Sequence, residues 1–168
     1  MAEFIRKFDH LSVRFLACPA KASFIECWGM NDTLRKPKTA LELVSDANRL
    51  IPILSVEELD AAMKSGDLVL LDVREKEEYE LEAIPGALHA SRGMLEFYAD
   101  PTNSFHRHNL QPTQRVALYC GTGGRSALAA LSLKTLGYCD VAQLQGGFKA
   151  WKAAACSGED RGGDKSSV

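Results

Sequence analysis

The stretch Val116-Ala117-Leu118-Tyr119-Cys120-Gly121-Thr122-Gly123-Gly124-Arg125-Ser126-Ala127-Leu128-Ala129-Ala130 restricts this chain more than any other. It reads as a buried strand, a loop opened by one cysteine, and a helix. Val116 to Tyr119 is a short apolar run with β-preferring residues. From Ser126 the chain turns to strong helix formers, chiefly Ala and Leu, as far as Leu136, where Gly137 supplies a stop. Between strand and helix, Gly121, Gly123 and Gly124 let the backbone turn its N–H groups inward as a nest for an anion. The helix N-terminus directs its partial positive charge into the same loop. Cys120 sits where these effects converge, with Arg125 nearby. Such surroundings lower a thiol's pKa and make it a nucleophile. A small buried hydrophobe at a strand end is the ordinary reading of a free cysteine, but it leaves the glycines, the arginine and the helix unexplained.

The rest of the chain alternates strands with helices. Ala40, Leu43, Val44, Ala47 and Leu50 have helical spacing, and Pro52 breaks the run. Ile53-Leu54 reads as a short strand. Ser55-Val56-Glu57-Glu58 is a capping box, opening a helix that buries Leu59, Ala62 and Met63 and ends near Ser65-Gly66. Leu68 to Val73 is nearly continuous apolar sequence, as in a parallel strand covered on both faces. Glu75 to Ala83 reads as a short acidic helix with a solvated face, stopped by Pro85-Gly86. Ala87 to Ala90 is a short strand, Arg92 to Tyr98 a helix, and Asp100 to Pro112 a polar loop. Val141 to Leu144 forms the last strand, before a helix that packs Phe148 and Trp151 on one side. This order predicts an α/β domain in three layers, a central parallel sheet flanked by helices. Ligands in such sheets bind beyond the strand carboxyl ends. Asp72, Cys120 and Gly146 fall at three of those ends.

Cys120-Gly121-Thr122-Gly123-Gly124-Arg125-Ser126 resembles the active-site loop of rhodanese-like sulfurtransferases, of the form C-x-x-G-x-R-S. Leu71-Asp72-Val73-Arg74 and Leu144-Gln145-Gly146-Gly147-Phe148-Lys149-Ala150-Trp151 resemble two further motifs in family order and spacing. The similarity runs from about Ser55 to Ala155 and is to the single-domain members. It implies a rhodanese-like fold in which Cys120 takes a sulfane sulfur from thiosulfate or a related donor as a persulfide. A thiophilic acceptor, such as cyanide or a small or protein thiol, then removes that sulfur. Residues Gly121, Thr122, Gly123, Gly124, Arg125 and Ser126 would cradle the persulfide, with Arg125 binding an anionic donor. Asp72 would steady the loop or its arginine, and Arg74 would make structural ion pairs. No cofactor and no metal are implied. Two alternatives stand beside this one. A phosphatase or arsenate reductase uses the same strand–loop–helix arrangement, but with five residues between Cys and Arg rather than the four found here. Non-catalytic members of the family commonly lack the cysteine that this chain keeps.

Length and composition narrow the surroundings. At 168 residues and 46% hydrophobic content, the chain suits one domain with flanking segments: an extension over 1–38, partly helical or disordered, the domain over 39–156, and a disordered tail over 157–168. A net charge of −2 gives no reason to expect nucleic acid or a membrane surface as partner. No apolar run reaches the roughly 18 residues of a membrane span. Five cysteines without CxxC or Cys/His metal spacing suggest a reducing, cytoplasmic setting. His89, His106 and His108 read as surface residues. Residues 1–29 lie outside the resemblance and are expected to be dispensable. They read as an extension, a targeting segment, or sequence preceding a start at Met30.

Overall fold

A computed structural model describes residues 37–159, with side chains through Ala155. Eleven elements follow in order: α1 (Ala40–Leu50), β1 (Ile53–Leu54), α2 (Val56–Ser65), β2 (Leu68–Asp72), α3 (Lys76–Leu81), β3 (Leu88–His89), α4 (Leu95–Ala99), β4 (Arg115–Tyr119), α5 (Gly124–Thr135), β5 (Asp140–Leu144) and α6 (Gly147–Glu159). The strands form one sheet in the order β1-β5-β4-β2-β3, and every pairing is parallel. The three-layer α/β expectation therefore holds.

Alternation along the strands builds a core on each face. Val116 and Leu118 of β4 join Leu71, Leu133 and Val141 under α4 and α5, while Ala117 and Tyr119 join Leu59, Leu70 and Leu144 under α2 and α6. The register aligns Asp72 with Tyr119 and Leu118 with Gln143, so β2, β4 and β5 end together and deliver their loops to one edge. Both outermost strands are only two residues long, and the Arg107 guanidinium donates to the His89 carbonyl on β3.

The expected capping box opens α2: Ser55 Oγ accepts from Glu58 N–H at 3.1 Å, and the Ser55 N–H donates to Glu58 at 2.8 Å. The same device, unread in the sequence, opens α1 at Thr39 and Glu42. Other boundaries differ. The α1 stripe is narrower than its spacing suggested, since Ala47 is buried but Leu43 and Leu50 are exposed. α4 begins at Leu95 because Ser91 to Met94 is spent in a turn, closed by Met94 N–H on the Ser91 carbonyl at 2.9 Å. α6 continues through Glu159, past the residue where the tail was expected to begin, because each added helical residue gains a hydrogen bond once Ala153 to Ala155 are wound. The remainder of the tail and residues 1–36 of the expected extension lie outside the described residues. Among the described residues no helix is long and apolar enough to cross a membrane.

Tyr119 ends β4 with its ring fully buried, and its hydroxyl accepts the Ile84 N–H at 3.1 Å. Tyr119→Phe removes that acceptor while keeping the ring. It should cost about 1–3 kcal/mol, the desolvation penalty of an orphaned buried donor, read as a lower denaturation midpoint at unchanged m-value. Equal midpoints would mean that the Ile84 N–H finds another partner.

Candidate active site

The chain leaves β4 at Tyr119 and enters α5 at Gly124, two residues earlier than the helix propensities suggested. Gly123 makes this possible. Its φ of 107° is open to glycine, and as the residue before α5 it swings the next peptides into the helix. Gly124, Arg125 and Ser126 therefore form the first turn of α5 rather than loop.

Cys120 is 1% exposed. Its Sγ accepts from the Gly123 N–H at 3.1 Å and lies 3.7 Å from the Ser126 hydroxyl. Burial pushes the thiol up, but hydrogen bonds from the Ser126 N–H and hydroxyl and from the Thr122 and Gly123 N–H groups outweigh it. The net result holds the group below its ordinary value. Ser126 is itself buried, and its hydroxyl also reaches the Gly123 carbonyl at 3.0 Å and Gln143 Oε1 at 3.1 Å. Gln143 Nε2 in turn donates to Asn48 Oδ1 at 2.6 Å. A polar chain thus runs from α1 through β5 to the thiol. Neither Gln143 nor Asn48 carries a motif that the sequence reading could have used.

The loop is held from behind by α6. The Phe148 N–H donates to the Cys120 carbonyl at 2.7 Å, and the Lys149 N–H donates to the Gly121 carbonyl at 3.1 Å. With the Gly121 carbonyl drawn toward α6, the Thr122 N–H of the same peptide turns toward the sulfur. Gly147 permits the approach: its φ is +61°, and a Cβ there would lie 2.3 Å from the Cys120 carbonyl oxygen.

Two expectations need correction. Asp72 does not hold Arg125. Its carboxylate is fully buried and bound to Arg74, accepting from the Arg74 N–H at 2.9 Å, from Nε at 3.0 Å and from Nη2 at 2.6 Å. The Asp72 carboxylate is only two residues from its partner, just beyond the end of β2. Arg74 makes the structural pair expected of it, donates to the Glu82 carbonyl at 2.6 Å, and lies 4.2 Å from the Phe148 ring centroid. The partner of Arg125 is Glu78, joined by two bonds of 2.6 and 2.9 Å. The acidic helix is therefore not only a solvated face. Glu78 turns toward the loop, and hydrogen bonding to Arg125 holds its carboxyl down at about 2.

His89 and His106 hydrogen-bond backbone carbonyls, of Arg74 and Tyr98, rather than the thiol. His89 is half-buried, stacked on Tyr79 at 4.9 Å rather than lying on the surface. His106 and His108 contact each other edge-on. No cluster of metal-ligating side chains occurs among the described residues.

The parallel sheet, the cysteine at its carboxyl edge and the N–H cradle at a helix N-terminus define an α/β domain built to stabilise a sulfur anion. The family profile of the Rhodanese-like domain matches residues 55–154, and the chain belongs to that family. A tRNA sulfurtransferase of Desulfurococcus amylolyticus is 38% identical over 97 residues, 58% of this chain but 17% of that protein. The thiosulfate sulfurtransferase GlpE of Coxiella burnetii is 35% identical over 91 residues, 54% of this chain and 78% of the relative. A solved structure from Rhodopseudomonas palustris, described as a protein of unknown function and possible tyrosine phosphatase, superposes with a TM-score of 0.67 at 36% identity. It covers 76% of this chain and is itself covered over 97% of its length.

Two substitutions probe the cradle. Ser126→Ala removes a donor to the thiolate, so the pH profile of Cys120 alkylation should move to higher pH. A profile that stays in place would assign the hydroxyl to Gly123 and Gln143 alone. Gly147→Ala adds backbone strain of about 1–3 kcal/mol and a clash with the loop. Gly66→Ala is its control, with φ +80° and open space around the added methyl. Both should lower the melting temperature, and only Gly147→Ala should alter Cys120 alkylation. Equal effects on alkylation would remove Gly147 from the support of the loop.

Proposed function

We propose that the protein is a sulfurtransferase that carries a sulfane sulfur on Cys120. The observation that carries this reading is the convergence of N–H and hydroxyl donors on one buried sulfur at the N-terminus of α5. The Cys120 thiolate attacks the outer sulfur of a donor such as thiosulfate. The S–S bond of the donor breaks, and its electron pair leaves on sulfite, or on a thiolate where the donor is an organic persulfide. The new persulfide is an anion, and the fixed N–H groups of the loop stabilise it without reorganisation. A thiophilic acceptor then attacks the terminal sulfur and returns Cys120 as a thiolate. Four residues between Cys120 and Arg125 give a cradle suited to one sulfur rather than a tetrahedral phosphate. The sulfurtransferase names of two relatives support the same reading.

Cys139 does not serve as the acceptor. Cys139 precedes β5 at the amino end of the sheet, whereas Cys120 follows the carboxyl end of β4. Five parallel residues at about 3.3 Å each separate the two ends by roughly 16 Å, and a disulfide needs Cα atoms within about 7 Å.

Intact-mass analysis after incubation with thiosulfate and with an organic persulfide tests the proposal. The chain should gain one sulfur atom from at least one donor and lose it to cyanide. Cys139→Ser should behave as the parent, and Cys120→Ser should gain nothing. Loading that survives in Cys120→Ser would remove Cys120 from the chemistry.

A further inference from the structure

We infer that Glu78 sets donor specificity: it occupies Arg125 as an internal anion, so the site takes a low-charge organic persulfide in preference to dianionic thiosulfate. The inference rests on Cys120 being the sulfur carrier and concerns only what feeds it.

The guanidinium edge that would receive a sulfonate is already filled. Glu78 Oε2 and Oε1 accept from Nη1 and Nη2 of Arg125, a two-pronged carboxylate match. The pair lies at the mouth, since both side chains are more than a third exposed. Arg125 Nη2 reaches within 3.4 Å of the Cβ position of Gly121, so the filled guanidinium overlies the loop.

Two other cations on the neighbouring elements are committed elsewhere. Arg74 is buried and committed to Asp72. Lys152 pairs with Glu82. Lys149 is exposed on the first turn of α6, and its N–H donates to the Gly121 carbonyl. Against these stands Glu75, whose charge acts on Arg125, while Glu80 on α3 is paired with Lys76. A dianion approaching Cys120 therefore meets an arginine already neutralised by a carboxylate.

The internal competitor has the advantage of tethering. A carboxylate held on the same chain acts at an effective concentration of millimolar or more, and a free dianion must displace it. Glu78 also stays ionised wherever a thiolate exists, because its carboxyl is held at about 2. An organic persulfide has no sulfonate to neutralise. The Cys120 thiolate attacks its outer sulfur, the S–S bond breaks, and the organic thiolate leaves with the electron pair and takes a proton from water.

The test uses the full chain and Glu78→Gln, with cysteine persulfide and thiosulfate as donors. Glutamine keeps an acceptor for the Glu75 N–H that caps α3, so the helix is retained. The parent should show the higher kcat/KM with cysteine persulfide. In Glu78→Gln the ratio of thiosulfate to persulfide kcat/KM should rise about tenfold, as expected on removing a tethered competitor. Calorimetry on Cys120→Ser, which cannot turn over, reads anion binding separately. Adding Glu78→Gln there should tighten thiosulfate binding, and adding Arg125→Ala should abolish the gain. An unchanged or lower ratio, or a parent that prefers thiosulfate, overturns the inference. Tighter thiosulfate binding in a protein that loads sulfur from neither donor would support the anion discrimination and overturn the sulfurtransferase reading.

Discussion

Two hydrogen bonds from the start of α6 govern the site. By drawing the carbonyls of Cys120 and Gly121 toward itself, the helix decides which way the intervening peptides face. A peptide has only two sides, so carbonyls committed behind the loop leave N–H groups in front. The Thr122 donor to the sulfur thus depends on where the last helix begins, while Gly123 and the first turn of α5 supply the others. That helix starts there because Gly146 and Gly147 both adopt positive φ, turning the chain sharply off β5. The chemistry at one strand end is fixed by backbone geometry at its neighbour.

Around this hinge the charges are layered by depth. Asp72 and Arg74 are almost wholly out of water and satisfy each other at several points. A buried pair of this kind contributes little beyond well-packed apolar residues, yet losing one partner typically costs about 3–5 kcal/mol. Its place beneath Phe148 ties β2 to α6. The Glu78–Arg125 pair is nearer to solvent and correspondingly easier to open. One ion pair braces the wall and the other borders the entrance.

The parts legible in the sequence were those with local causes. Val116–Tyr119, the glycines and the alanine-rich helix announce strand, turn and helix within one window, and Ser55–Glu58 announces its own cap. The cysteine could be placed because its neighbours in sequence are also its neighbours in space. Glu78 could not be assigned to Arg125, because 47 residues separate them and an acidic helix reads the same whichever way one glutamate turns. Gln143 and Asn48, 95 residues apart, are more distant still. The partner of Asp72 went unread for a different reason. Its carboxylate is taken by the N–H and guanidinium of Arg74 two residues on, a local turn that the sequence admits but does not require. The early start of α5 also went unread, since glycine and arginine at a helix opening look like loop until the neighbouring turn is known.

The two short edge strands bear on how these domains behave when crowded together. A sheet border is an invitation to any extended chain, because its unpaired peptide groups can template another strand. Here β1 and β3 each expose a border only two residues long, and Arg107 already covers the His89 carbonyl on one of them. An incoming strand would gain too few hydrogen bonds to offset its lost freedom. Among the described residues the sheet ends with these two short strands, which offer little rail along which neighbouring copies could zip.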